Sequence, residues 1–357
     1  MSQRNQRILL IGAVNLGVPP QNGEESKNQI LCDYLRARHR LTVVDTKHWK
    51  KDPLLLLRVF YHSTLPEYDC ILLSASSASI HTWLRLMRPF RRRLARTVYL
   101  VIGGYLHIGI SEKRYRADTY DTLSSIVVEG ESMMRELKSQ GVKAPITVMP
   151  NFKVLKRTWG DPSRFDEGPV RFIFLSRVAE SKGVPLIFEA LRDHRLQDRR
   201  DEYEVDFYGP VEKGFEQRFE SDLKGEPNAK YRGYLDIYND TDHSYQTVAS
   251  YHVMLFPTTW MGEGFPGVIL DALACGVPVI ASDWNMNREV VIEGRTGRII
   301  PPNDSKALAD LILDILDDRE SWRMMSVNSA GEAQRFDAER VLDEHLPAIL
   351  DGTARDV

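Results

Sequence analysis

Short apolar runs bounded by turn-forming residues recur through the first part of the chain. They are RILLIGAV (7–14), HRLTVVDT (39–46), YDCILLSA (68–75), RTVYLVIGG (96–104), SSIVVEG (124–130) and PITVMPN (145–151). Apolar runs of this length without polar alternation mark strands covered on both faces, the signature of a parallel sheet. Helical spacing fills the intervals. In NQILCDYLRA the residues Ile30, Leu31, Tyr34 and Leu35 share one helix face, and ESMMRELKSQG reads as a second helix. The rhythm breaks in NFKVLKRTWGDPSRFDEGP, a stretch rich in charge, Gly and Pro. It restarts with VRFIFLSR, PLIFEALRDH, YEVDFYGP, AKYRGYL, SYHVMLFPT, GVILDALA, VPVIASD, TGRIIPP and KALADLILDIL.

Two successive strand–helix arrays predict an α/β protein of two Rossmann-like, doubly wound domains facing a cleft. The expected boundaries are 1–155 for the first domain, 156–168 for the linker and 169–335 for the second domain. In such sheets ligands bind beyond the carboxyl ends of the strands. Two sets of those ends across one cleft suit the joining of two substrates.

The chain has 357 residues, enough for two domains of ordinary size. A net charge of -3 lacks the basic excess of a dedicated nucleic-acid binder. Cys32, Cys70 and Cys275 are far apart and set among apolar residues, which predicts reduced core thiols in a cytosolic protein. RILLIGA reads as a buried first strand, because a signal peptide needs a longer apolar region and a small-residue cleavage site. No run reaches the ~18 apolar residues expected of a spanning helix.

The stretch MGEGFPGVILDALACGVPVIAS, residues 261–282, carries two acids in an otherwise apolar setting. Pro266 and Gly267 suit the opening of a helix, and Gly276 suits its left-handed end. Glu263 then lies in the preceding loop and Asp271 one turn inside the helix. The amides of Gly267, Val268 and Ile269 are expected to lack intrahelical partners and, with the helix dipole, to attract a phosphate. Gly264 allows close backbone approach. The two carboxylates suit hydroxyl groups, so the local chemistry asks for a ligand that is part phosphate and part polyol: a nucleotide sugar. Taken alone, the segment is equally readable as a plain turn with Asp271 solvated.

A second motif, FIFLSRVAESKGVPLIFEAL, places Arg177 at the carboxyl end of a strand and Lys182 just before Gly183 and a helix. A guanidinium fork and an ammonium five residues apart can both reach a diphosphate and neutralise charge on a leaving nucleotide.

SRVAESKG followed by GEGFPGVILDALACGVPVIAS resembles the retaining family 4 glycosyltransferases of the GT-B fold, among them enzymes of bacterial capsule and exopolysaccharide assembly. Their pattern is G-R-x-x-x-x-K-G, then E-G-F-G-x-P-x-x-E-A-x-A-x-G-x-P-V-I. FYGP, YRGYL, GRIIPPND and VVEGESMMRELKSQGVKAPITVMPN are similar to further stretches of that family.

The resemblance implies that Arg177 and Lys182 hold the donor diphosphate and Glu263 the donor sugar. The backbone of Gly264, Phe265, Pro266, Gly267 and Val268 would line sugar and phosphate. The chain reads Phe-Pro-Gly-Val where the family has Gly-Leu-Pro after its Phe. Asp271 stands where the family has a ribose-binding Glu. Tyr234 would line the base, with Gly209 at a neighbouring strand end. Gly17, in the Gly- and Pro-rich loop GAVNLGVPPQNGEES, would reach the donor from the first domain, and His107 would contact donor sugar and acceptor. The first domain would bind the acceptor, the second the nucleotide sugar, and a terminal helix over 336–357 would pack back on the first domain.

The expected activity is metal-independent hexosyl transfer from a UDP- or GDP-linked sugar, with retention and no further cofactor. The acceptor would be a sugar or lipid-linked sugar in surface polysaccharide or glycolipid synthesis. No D-x-D-like pair sits in a suitable loop for a metal. HTWLRLMRPFRRRLARTV, His81–Val98, is basic and amphipathic, though Pro89 divides it. We read it as a contact with an anionic membrane on the cytoplasmic face. Two other readings are open: a sugar-nucleotide epimerase of the same architecture, and a non-catalytic nucleotide-binding partner. A nicotinamide oxidoreductase fits least, since the first loop lacks G-x-G-x-x-G.

Overall fold

The computed structural model describes residues 5–48, 51–155 and 160–352, which divide into two compact units. Unit 1 comprises Met1–Val154 and Phe336–Val357, and unit 2 comprises Leu155–Arg335. Each holds one six-stranded sheet in which every pairing is parallel.

In unit 1 the strands are β1 Arg7–Gly12, β2 Arg40–Asp45, β3 Cys70–Ala75, β4 Thr97–Val101, β5 Ser125–Val128 and β6 Ile146–Val148. Each lies inside one of the six apolar runs. The sheet order is β2-β1-β3-β4-β5-β6, with Ile8 opposite Leu41 on one side and Cys70 on the other. Ile8, Leu9, Leu10 and Ile11 are all buried, as helices on both faces require. The helix Ala338–Gly352 lies in this unit. Its Val341, Leu342, Leu346 and Ile349 share a core with Leu31 and Leu35 of the helix Gly23–Arg38, and Tyr34 donates to Asp343 at 2.6 Å.

Unit 2 contains β7 Val170–Leu175, β8 Tyr203–Tyr208, β9 Ala229–Gly233, β10 Val253–Phe256, β11 Val279–Ser282 and β12 Gly297–Ile300, in the order β12-β11-β10-β7-β8-β9. Stacked and edge-on contacts among Phe188, Phe207 and Phe219 fill one face. Trp322 is fully buried, with its indole N–H on Asp314 at 2.9 Å.

Two expectations change. Residues 156–159 of the expected linker lie outside the described residues, and from Gly160 onward the stretch is packed structure of unit 2. Phe165 is in its core, and Arg164 donates to the Gly276 carbonyl at 2.7 Å and to Ser326 at 3.0 Å. The segment His81–Val98 forms no single amphipathic element. The helix Ser77–Met87 stops before Pro89, a short helix Arg91–Leu94 follows, and Leu84, Met87 and Leu94 are buried. Only Leu86 and Phe90 remain as exposed large apolar side chains in it. All three cysteines are buried, and burial pushes the Cys32 thiol up to about 12.

His252, 3% exposed, ties β7 to the turn at Arg164. Its Nδ1 accepts from the Arg171 amide at 2.9 Å, and its Nε2 donates to the Arg164 carbonyl at 2.6 Å. Both nitrogens are therefore matched to a neutral ring, and burial holds the imidazole down to about 4 against an ordinary 6.5. The unfolded chain binds this proton through that window and the folded chain does not. Stability therefore falls as pH drops from about 6.5 to about 4, by up to ~3 kcal/mol from this group. Denaturant titrations at both ends of the window should show the loss, and His252→Gln should remove that share of it.

Candidate active site

The strand order of unit 2 reverses between β7 and β10: the chain leaves β7 towards β8 and leaves β10 towards β11. Loops that diverge at such a point leave a crevice at the carboxyl ends of the strands. Lys182 sits in the loop after β7 and Glu263 in the loop after β10.

These two side chains meet. Lys182 Nζ lies 2.5 Å from Glu263 Oε2, and the residues are only 6% and 8% exposed. Thr258 Oγ1 also faces Glu263 Oε2, at 3.2 Å. Both contacts are made to Oε2. Burial lowers the Lys182 pKa; Glu263 opposes that shift and the Arg177 charge adds to it.

The loops are pinned to each other as well. The Thr259 amide donates to the Ser181 carbonyl at 2.9 Å. Gly183, at φ +78°, packs so closely that a Cβ there would sit 2.1 Å from the Pro257 carbonyl. Trp260 lies over both cations, its ring 4.2 Å from Lys182 Nζ and 5.5 Å from the Arg177 guanidinium carbon. The Trp284 indole holds the Trp260 carbonyl at 2.9 Å, and Asn285 holds the Glu263 carbonyl at 2.7 Å.

Arg177 is half-exposed and pairs with Glu212 at 3.0 Å. Its loop rests on the end of β8, where the Val178 amide donates to the Pro210 carbonyl and the Glu212 amide to the Val178 carbonyl, each at 2.9 Å. Gly209 makes that contact possible. It sits at φ +131°, and a Cβ would fall 1.9 Å from the Ser176 carbonyl. Tyr234, just past β9, is 61% exposed.

The helix Gly267–Ala274 begins after Pro266, as expected, and Gly276 takes the left-handed conformation beyond its end. One expectation is corrected: the Ile269 amide is engaged by the Pro266 carbonyl at 3.1 Å, because the first turn is tightened. The expectation of an anion-binding helix start therefore narrows to the Gly267 and Val268 amides. Gly264 is half-buried beside them and Phe265 is buried. Asp271 is not solvated. It is 1% exposed and accepts the Tyr245 hydroxyl at 2.8 Å, and burial together with this carboxylate pushes the tyrosine pKa up.

In unit 1, Gly17 stands at φ +78° in a loop with defined anchors. Asp45 accepts the amides of Val14 and Leu16 at 3.1 and 2.9 Å. Buried Glu25 accepts from Asn15, from the Gln21 amide and from Lys47. His107 lies in the helix Tyr105–Ser111 after β4. Its Nδ1 has no hydrogen-bond partner among the described residues, and burial holds the ring below the ordinary imidazole value.

Residues 156–331 match the family model described as glycosyl transferases group 1. The O-antigen chain mannosyltransferase B of Escherichia coli is 33% identical over 120 residues, covering 33% of this chain and 29% of that protein. A phosphatidyl-myo-inositol mannosyltransferase of Mycolicibacterium smegmatis is 26% identical over 167 residues, 46% of this chain and 41% of that protein. The matches thus span less than half the length of these curated relatives.

Among solved structures, HepE of Anabaena in complex with UDP superposes with a TM-score of 0.76 at 17% identity, over 97% of this chain and 100% of that one. The sucrose-phosphate synthase of Thermosynechococcus elongatus gives 0.73 at 16% identity, over 95% and 97%. The fold is GT-B.

The motif residues Arg177, Lys182 and Glu263 were legible from spacing, but Thr258, Trp260 and Tyr245 were not singled out. The TTW just ahead of MGEG was the available signal. The buried pair also changes what substitution means. Lys182→Ala strands a buried carboxylate and should cost about 3–5 kcal/mol of stability. Lys182→Met with Glu263→Leu should recover most of that loss in thermal melts, and Arg177→Ala should cost under about 1 kcal/mol.

Proposed function

We propose that the protein is a retaining, metal-independent glycosyltransferase of the family 4 type. It moves a hexose from a UDP- or GDP-linked donor to an acceptor hydroxyl in bacterial surface polysaccharide or glycolipid synthesis. The observation that carries this reading is the Lys182–Glu263 pair at the β7–β10 reversal, beside Arg177 and the start of the Gly267 helix. The group 1 family match and the polysaccharide-related names of the relatives support it.

The donor diphosphate lies against Arg177, Lys182 and the Gly267 and Val268 amides. These groups stabilise negative charge as the glycosidic bond stretches, and no cation other than the protein's own is required. Glu263 accepts a sugar hydroxyl through Oε1 while Oε2 keeps Lys182 in place. The anomeric carbon turns oxocarbenium-like, and the acceptor hydroxyl attacks from the face the phosphate leaves. Its proton passes to the departing phosphate, so no enzyme nucleophile is needed. Trp260 keeps the two cations side by side before the donor arrives. Asp271 takes the ribose hydroxyls if Tyr245 yields its bond. Tyr234 and Gly209 flank the base, Gly17 serves the donor, and His107 serves donor sugar and acceptor, its neutral ring donating or accepting a hydrogen bond. The acceptor is a sugar or lipid-linked sugar.

Thermal-shift titration with UDP, GDP and ADP tests the donor reading: one uridine or guanosine nucleotide should raise the melting temperature, and no response to any of them overturns it. Product analysis should show sugar transferred only when an acceptor is present. Release of an isomerised donor without acceptor would mark an epimerase. Turnover should be unchanged by chelators, and Arg177→Ala should lower kcat at least about a hundredfold while the fold stays intact.

A further inference from the structure

Lys182 and Thr258 fix Glu263 at the tip of its side chain. A carboxylate held only there could still swing about that contact, because its backbone belongs to a loop. The turn that carries it runs from Trp260 to Glu263 and is closed by the Glu263 amide on the Trp260 carbonyl at 3.0 Å. A third loop holds this turn in place. It follows β11, the neighbour of β10 on the side away from β7.

Side chains of that loop donate to three carbonyls of the turn. Trp284 Nε1 reaches Trp260 at 2.9 Å, and Asn285 Nδ2 reaches Glu263 at 2.7 Å and Met261 at 3.4 Å. Ser282, at the end of β11, donates to the Thr258 carbonyl. The loop is itself braced. The Asp283 amide donates to the Ile300 carbonyl at 2.7 Å, the Asn287 amide to Trp284 at 3.0 Å, and the Asn287 side chain to the Ser282 carbonyl at 2.9 Å.

Asn285 stands at φ +46°, a left-handed conformation that few residues other than glycine adopt and asparagine tolerates best. The residue is exposed, so core packing does not account for that conformation. Backbone held this way collects where geometry is put to use. The bonds also fall on the two residues that frame the site: Glu263, and Trp260, whose ring lies against Lys182 and Arg177.

We infer that Asn285 and Trp284 are positioning residues, which fix the backbone at Glu263 so that its carboxylate meets the donor sugar at one angle. The inference rests on the donor reading proposed above and adds two residues that act through Glu263 and Trp260. With its tip on Lys182 and its backbone on Asn285, Glu263 is held at both ends before a ligand arrives. Release of the Asn285 end leaves the Lys182 contact intact and lets the carboxylate rotate about it. The loss then falls on the sugar, while the diphosphate keeps Arg177, Lys182 and the helix start. A plain tether would show the reverse: lower stability, and no distinction between nucleotide and sugar.

Asn285→Gly tests this, since glycine keeps the left-handed backbone and removes only the amide group. Hydrogen exchange should quicken about tenfold across residues 260–265 and stay as in wild type elsewhere. Trp284→Phe, which removes the indole N–H, should quicken exchange in the same segment. Titrations with UDP, GDP, UDP-glucose, UDP-galactose and GDP-mannose supply the second readout. In Asn285→Gly, the sugar nucleotide that wild type binds most tightly should lose about tenfold in affinity while its bare nucleotide binds unchanged. The melting temperature should stay within about 2 °C, because the residue is exposed. Asn285→Asp keeps size and backbone but offers the carbonyls no donor, and should do no better than glycine. Unchanged exchange over 260–265 in Asn285→Gly or Trp284→Phe overturns the inference. So does an equal loss for the nucleotide and its sugar form, or an aspartate variant that behaves as wild type. A wild type that binds none of the five ligands counts against the donor reading, whereas wild-type binding with an unaltered Asn285→Gly counts against the inference alone.

Discussion

A parallel sheet whose strand order reverses cannot close over its own carboxyl edge at the point of reversal. The connections on either side must depart in opposite directions, and the gap they leave is lined by loops. In unit 2 that gap lies between β7 and β10. The chain fills its floor with a buried ion pair where apolar packing would be the ordinary choice. A lysine and a glutamate at this depth are stable only because each is the other's counterion, with Thr258 and the face of Trp260 completing the surroundings.

The same constraint explains the glycines. Gly183 and Gly209 stand where one strand's connection crosses the carbonyl of another, at separations that exclude any Cβ. Their conformational freedom lets the cationic loop lie flat against the ends of β8 and β10. Arg177 thereby stays at the surface within reach of Trp260 while Lys182 points inward. The two cations reach the same ring from different depths, which gives the site one fixed and one adaptable positive charge.

Unit 1 shows a related economy at its β1–β3 reversal, where Asp45 and Glu25 gather backbone amides and Lys47 to hold the Gly17 loop. Polar side chains buried under loops are costly unless every oxygen is used, and here they are used to give a Gly- and Pro-rich segment a defined path. The helix Leu55–Thr64 shows the opposite case, with Leu56 and Leu57 exposed among the described residues.

The apolar runs by themselves determined most strands of the described residues, since a strand buried on both faces needs a continuous hydrophobic stretch whatever its neighbours are; the edge strand β9 is the exception, with Lys230, Tyr231 and Arg232 exposed. The two motif loops were equally legible, because a proline, a glycine and a charge at set spacing dictate local turn geometry. Neighbours remote in sequence were not. The bond between Tyr245 and Asp271 and the cover of Trp260 over Lys182 depend on where helices and loops land after the sheet is assembled. So does the fate of His81–Val98, whose Leu84, Met87 and Leu94 read as a surface stripe until packing draws them into the core. Residues 160–168 looked like a linker from composition, yet Phe165 and Arg164 find partners more than eighty residues away. Local composition sets what a segment can do alone, and only the folded chain decides which side chains are left facing water.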